Sequence, residues 1–198
     1  RIHIQNITVQ DTTKPVITGT PQAITVNCAS EVPASSIDNL SATDNCNGTV
    51  TKTVADVISN QTCSNRYTIT RTWTATDACG NSSTSTQLIT VNDTIPPLIE
   101  ETPRDIILSC ETEVPEANIS SVIVTDNCSA NVSISVTDET ENQTCSNDFT
   151  IIRTWTAFDE CGNSSTSKQI IKVRDTIKPI ILSVPVDITI SCTEEIPT

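Results

Sequence analysis

The residues with most chemistry to offer are nine cysteines and a recurring set of aspartates. Eight cysteines form two sets of four: Cys28, Cys46, Cys63 and Cys79, then Cys110, Cys128, Cys145 and Cys161. The spacing inside the first set is repeated without change inside the second. Thiols in such numbers either ligate a metal or oxidise in pairs. Zinc sites favour C-x-x-C steps and histidine ligands. No two cysteines here stand that close, and the only histidine is His3. An even number of cysteines at fixed positions reads instead as a disulfide framework. That places the protein in an oxidising compartment outside the cytoplasm.

The aspartates offer a second chemistry. Asp11, Asp44, Asn45, Asp77 and Asn81 recur, in the same order and at the same spacing, as Asp93, Asp126, Asn127, Asp159 and Asn163. Gathered at one end of a folded unit, such a set could supply oxygens to calcium, which takes about six to eight. A second reading stands beside it: Asp and Asn only make turns and caps here, with their carboxylates held by backbone N–H groups. No cofactor is required; calcium at the inter-repeat joints is the ion the first reading expects. Catalysis is not expected. A Ser/His/Asp or Cys/His set cannot be assembled around one histidine that lies outside both cysteine sets. The paired carboxylates sit at turn positions repeated in each copy, and an active site duplicated in every repeat would be unusual.

Positioning these groups falls to an internal repeat. Shifted so that Cys28 meets Cys110, the sequence lands on itself without an insertion. Trp73 then falls on Trp155, Arg71 on Arg153, and Asp11-Thr12-Thr13-Lys14-Pro15 on Asp93-Thr94-Ile95-Pro96-Pro97. The same shift applied again reaches Asp175-Thr176-Ile177-Lys178-Pro179. Fixed-period self-similarity is the signature of tandem modules. The division is 1–11, the last strand of a preceding repeat; 12–93, a first full repeat; 94–175, a second; and 176–198, the first strand of a following one. Both ends fall inside repeats, so a longer natural chain is expected, and Cys192 is expected to lack a partner here.

Composition sets the fold class. The chain is rich in Thr, Ser, Ile and Val, has no Met and only 3% aromatics. Cβ-branched residues favour strands, and domains of about 80 residues with thin cores commonly add disulfides. The net charge of −13 argues against nucleic acid and anionic membranes as partners. No apolar run approaches the roughly 20 residues needed to span a bilayer, so membrane insertion is not expected.

Strand signals fall at 23–28, more weakly at 37–43, and at 49–56, 66–77 and 82–92, with turns at Asp44-Asn45, Asn47-Gly48 and Cys79-Gly80-Asn81. Five to seven short antiparallel strands in about 80 residues read as an immunoglobulin-like β-sandwich. The fold class is all-β: tandem sandwiches stacked head to tail as a rod. In the run from Arg66 to Asp77, Tyr67, Ile69, Arg71, Trp73 and Ala75 share one face, and threonines share the other. Trp73 is expected in the core and Arg71, an otherwise costly buried charge, beside Asp56. Alternating strand direction puts Cys28 and Cys63 at one end of the repeat and Cys46 and Cys79 at the other. Bridged Cα atoms lie within about 7 Å, so the expected pairs are Cys28–Cys63, Cys46–Cys79, Cys110–Cys145 and Cys128–Cys161.

These residues resemble a known family. Ile24-Thr25-Val26, Ala42-Thr43-Asp44-Asn45, the run from Thr72 to Asn81 and Ile89-Thr90-Val91 are similar to the HYR, or hyalin-repeat, immunoglobulin-like domains. The four-cysteine form with an Arg-Thr-Trp-Thr-Ala strand looks like the repeats of giant cell-surface adhesins of Bacteroidota, of which the gliding adhesins of flavobacteria are the best-known type. The resemblance implies an extracellular, cell-surface location reached by type IX secretion, and a role as stalk repeats in adhesion and gliding motility. Implied partners are neighbouring repeats of the same chain, the cell-surface motility machinery, and a surface polysaccharide or substratum. The competing reading is a repeat that itself binds a polysaccharide or partner surface, or an extracellular-matrix module. Its one hint is the divergence between 35–40 and 117–122. The Asp-Thr steps also resemble the O-glycosylation sequence of that phylum, which would make Thr12, Thr94 and Thr176 acceptors. The alternative is that Asp-Thr caps a turn before proline.

Overall fold

The structure, a computed structural model, describes residues 2–46 and 48–192. Asn47 of the expected Asn47-Gly48 turn and residues 193–198 of the expected third-repeat strand lie outside the described residues.

Among the described residues each repeat has six strands. In the first they are β1 (Val16–Thr18), β2 (Ile24–Val26), β3 (Ser41–Thr43), β4 (Thr51–Cys63), β5 (Arg66–Thr76) and β6 (Ser82–Asn92). In the second they are β7 (Leu98–Glu101), β8 (Ile106–Leu108), β9 (Ile123–Thr125), β10 (Ser133–Cys145), β11 (Asp148–Phe158) and β12 (Ser164–Arg174). The main sheet runs β2-β6-β5-β4, with its counterpart β8-β12-β11-β10; β1 pairs with β3 and β7 with β9 in two-stranded ribbons. β6 is antiparallel to β5 and parallel to β2.

Period-two patterning builds the core. Along β5, Ile69, Arg71, Trp73 and Ala75 are buried, and along β6 Gln87, Ile89 and Val91. The threonines between them are less enclosed. Trp73 and Trp155 are wholly buried, and Trp73 Nε1 donates to the Ser36 carbonyl at 2.9 Å. Ser83 Oγ donates to the Pro15 carbonyl at 2.6 Å, tying the segment leading into β1 to the main sheet. Arg71, 2% exposed, donates from Nε and Nη2 to both Asp56 oxygens at 2.8 and 2.9 Å. Arg153 and Asp138 repeat the pair at 2.8 Å. A two-pronged guanidinium–carboxylate contact is what makes a buried charge tolerable.

Several expectations change. The strand expected over 37–43 is a 3-10 turn at Ile37–Asn39 followed by the short β3. β4 extends to Cys63, so the β4–β5 hairpin reaches far past the expected stop at Asp56. Residues 2–11 and 176–192 carry no strand.

The largest correction concerns the cysteines. The structure pairs Cys28 with Cys128 and Cys63 with Cys161, with Cα atoms 5.1 and 5.2 Å apart. Both bridges cross from one repeat to the next. The expected Cys28–Cys63, Cys46–Cys79, Cys110–Cys145 and Cys128–Cys161 pairs are not formed; Cys46, Cys79, Cys110, Cys145 and Cys192 are free thiols. Cys28 follows β2 and Cys63 ends β4, at opposite edges of the β2-β6-β5-β4 sheet. Three inter-strand steps separate them, about 14 Å, roughly twice what a disulfide spans.

Candidate functional site

The β4–β5 turn and the residue after β6 form the leading end of the first repeat. Asp93 N–H donates to the Asn65 carbonyl at 2.9 Å, which fixes the linker's first residue on that turn. Asn65, 5% exposed, takes the Ala29 N–H on Oδ1 at 2.8 Å and donates from Nδ2 to the Cys128 carbonyl of the second repeat at 3.4 Å. Arg66 reaches further. Its Nη1 donates to the Cys161 carbonyl at 3.0 Å, and its Nη2 to the Asp93 carbonyl at 2.7 Å and Asn163 Oδ1 at 3.4 Å. Ser64 Oγ donates to Glu160 across the same gap. That contact and one from Asn131 Nδ2 hold the Glu160 carboxyl below its ordinary range. With the two disulfides, these contacts make the joint a continuous interface.

Three aspartates converge inside it. Ligand-capable oxygens of Asp93, Asp126 and Asp159 lie within 4.8 Å of one another. Asp93 comes from the linker, Asp126 from the turn after β9, and Asp159 from the turn after β11. Each carboxylate uses Oδ1 as a turn cap. Asp93 takes the Ile95 N–H at 3.1 Å; Asp126 takes Cys128 and Ser129 at 3.0 and 2.7 Å; Asp159 takes Cys161 and Asn163, both at 2.8 Å. The second oxygens differ. Asp159 Oδ2 takes Asn163 Nδ2 at 2.7 Å, while Oδ2 of Asp93 and of Asp126 are buried with no hydrogen-bond partner. Burial, and then the charges of Asp126 and Asp159, push the Asp93 carboxyl above its ordinary range despite the Ile95 N–H and Arg66. The amides expected beside the carboxylates take other roles: Asn163 Nδ2 also donates to the Asp93 carbonyl at 3.2 Å, and Asn127 Nδ2 to the Cys128 sulfur at 2.7 Å.

The same set stands open at the trailing end of the first repeat. Asp11, Asp44, Cys46, Asp77 and Cys79 line a surface depression. Asp77 caps Cys79 and Asn81 at 2.9 and 2.8 Å, and Asn81 Nδ2 donates to the Asp11 carbonyl at 3.1 Å. Asn45 Nδ2 lies 3.6 Å from the Cys46 sulfur, and Asp44 Oδ2 is buried and bare. A hydrogen bond to Asp11, burial and the charges of Asp11 and Asp44 raise the Cys46 thiol pKa. Thr12, Thr94 and Thr176 are all exposed. Asn65, Arg66 and the Ser64–Glu160 contact were not singled out in the sequence. The signal available was that Asn65 recurs as Asn147 while Arg66 becomes Asp148.

Fold and joint together define a tandem of β-sandwich repeats coupled end to end. The chain belongs to the family described as the HYR-like domain with 4 cysteines, which it matches at residues 16–91 and 98–173. Among the solved structures to which it is similar are two protocadherins. One is the protocadherin gammaB7 EC3-6 cis-dimer, at 15% identity and TM-score 0.33, covering 84% of this chain and 52% of that one. The other is protocadherin gamma B2 extracellular cadherin domains 1-5, at 14% identity and TM-score 0.33, covering 86% and 42%. The chain thus spans about half the length of these solved chains or less. No match is found among curated proteins. Among the described residues no helix is long and apolar enough to cross a membrane.

Proposed function

We propose that these repeats are non-catalytic stalk modules of an extracellular adhesin displayed at the cell surface, built so that load passes through covalent joints. One observation carries the reading: Cys28–Cys128 and Cys63–Cys161 both cross the repeat boundary. Force on one repeat then reaches the next through three covalent strands, the linker and two bridges. The internal repeat extends the scheme. Cys46 and Cys79 stand where Cys128 and Cys161 stand, and Cys110 and Cys145 where Cys28 and Cys63 stand. Each free pair is therefore half of a joint with a further repeat of the same kind. Disulfides suit an oxidising, extracellular setting. Display for gliding motility and export by type IX secretion rest on the likeness of the four-cysteine, Arg-Thr-Trp-Thr-Ala pattern to Bacteroidota adhesins.

Pulling single molecules by their termini tests the reading. Bridges that close loops of 100 and 98 residues hide chain length until they are reduced. Added reductant should release roughly 350 Å of further extension, at about 3.5 Å per residue. Identical extension with and without reductant would remove the covalent joint from the account. Binding of the immobilised chain to a polysaccharide array would replace the stalk with a ligand-binding module.

A further inference from the structure

We propose that the joint binds a calcium ion through Asp93, Asp126 and Asp159. Three carboxylates offer oxygens within 4.8 Å of one another, and two of them are nearly sealed from solvent, Asp93 at 0% and Asp159 at 7% exposed. Turn capping explains only part of this arrangement. It satisfies every Oδ1 and Asp159 Oδ2, and leaves Oδ2 of Asp93 and of Asp126 buried and bare. A buried carboxylate oxygen with no donor is costly. No ion pair forms with it: among the described residues the ion pairs are Arg71–Asp56 and Arg153–Asp138, and the charge of Arg66 offsets the cost at Asp93 only in part. Arg66, the cation at the joint, spends its guanidinium on the carbonyls of Cys161 and Asp93 and on the Asn163 side chain.

The donor set selects the ion. Cys128 and Cys161, the nearest soft ligands, are locked in disulfides. What remains is oxygen, which suits a hard cation, and calcium tolerates irregular geometry and fills its shell with water where magnesium demands a near-ideal octahedron. The ion would tie the linker residue Asp93 to two turns of the second repeat, fixing the angle at which one module meets the next. At the open end Asp11 and Asp44 converge with the Cys46 thiol, Asp77 lines the same depression, and Asp44 again has a bare buried Oδ2. A closing repeat would complete that site.

The site rests on the joint for its location only, since a failed calcium titration would leave the disulfide map untouched. The test is calorimetric titration of calcium into the oxidised full chain after chelator treatment, with melting followed in parallel. At a hundredfold excess over the dissociation constant, calcium should raise the midpoint by about 5–10 °C, and magnesium by much less. Asp126→Asn keeps the Oδ1 acceptor for the Cys128 and Ser129 N–H groups and should weaken calcium binding at least tenfold. Asp44→Asn, at the open end, should keep the joint's response. Absence of heat and of a midpoint shift in the unsubstituted chain overturns the proposal. So does a calcium response equal in Asp126→Asn, or one lost in Asp44→Asn instead. A chain that binds no calcium, yet is stabilised equally by Asp126→Asn with chelator or calcium, would show that the carboxylates share a proton.

Discussion

The trailing ends of the two repeats carry the same residues in two states. At the trailing end Cys46 and Cys79 are exposed thiols beside Asp11, Asp44 and Asp77. At the joint their equivalents Cys128 and Cys161 are bridged, and Asp93 and Asp159 are buried. The sequence of the trailing end does not differ in these residues; what differs is the partner. The leading end of a repeat contributes Asn65, Arg66 and Ser64 as well as two sulfurs, and it converts a row of exposed turns into a closed interface. Neither end is complete alone, so the folding unit and the functional unit do not coincide. The sandwich is one repeat, and the joint belongs to two.

That contrast can be broken most severely at the sulfurs. Replacing Cys128 and Cys161 together by serine, with Cys28 and Cys63 likewise replaced so that no thiol is stranded, removes closed loops of 100 and 98 residues. Each loop constrains the unfolded chain by about 4–5 kcal/mol in the chain-entropy estimate. Denaturant unfolding should show the largest loss of stability in this variant. Replacing Cys46 and Cys79 should leave the curve unchanged, and an equal loss in both would erase the difference between the ends.

A middle-sized effect separates the two leading ends. Asn65→Ala strands the Ala29 N–H and the Cys128 carbonyl at a buried joint, at a cost of about 1–3 kcal/mol. Asn147→Ala, its equivalent, loses one exposed contact to the Glu111 N–H and should cost about 1 kcal/mol or less. Thermal melts of the two variants compare them directly; equal shifts would mean that Asn65 serves its own repeat and not the joint.

The smallest effect is at the position where the repeats disagree. Arg66→Gln gives up donors to the Cys161 and Asp93 carbonyls and should destabilise by about 1–2 kcal/mol. Asp148→Asn should change stability by a few tenths at most, since Asp148 carries only a local contact from Thr144. A larger loss at Asp148 than at Arg66, in the same denaturant titration, would reverse the assignment of the joint to Arg66.

How far the sequence carried this picture depends on which coordinate is asked for. Alternation along β5 identified the buried face, and a charge on that face demanded a partner, so Arg71 and Asp56 were legible together. Strand direction also located Cys28 and Cys63 at one end. It did not locate them sideways, because the parallel pairing of β2 with β6 is a long-range choice that leaves no periodic mark. The short strands β1 and β3 do not run far enough to show a period. The aspartates were legible as a set because they recur with the cysteines in each repeat, but which of their oxygens stays bare depends on backbone donors in three separate turns.

Two bonds make the joint covalent, and proteolytic peptide mapping of the unreduced, thiol-blocked chain reads them directly. It should find Cys28 linked to Cys128 and Cys63 to Cys161, with Cys46, Cys79, Cys110, Cys145 and Cys192 alkylated as thiols. Links of Cys28 to Cys63 and of Cys128 to Cys161 would confine each disulfide to its own repeat and contradict the covalent joint.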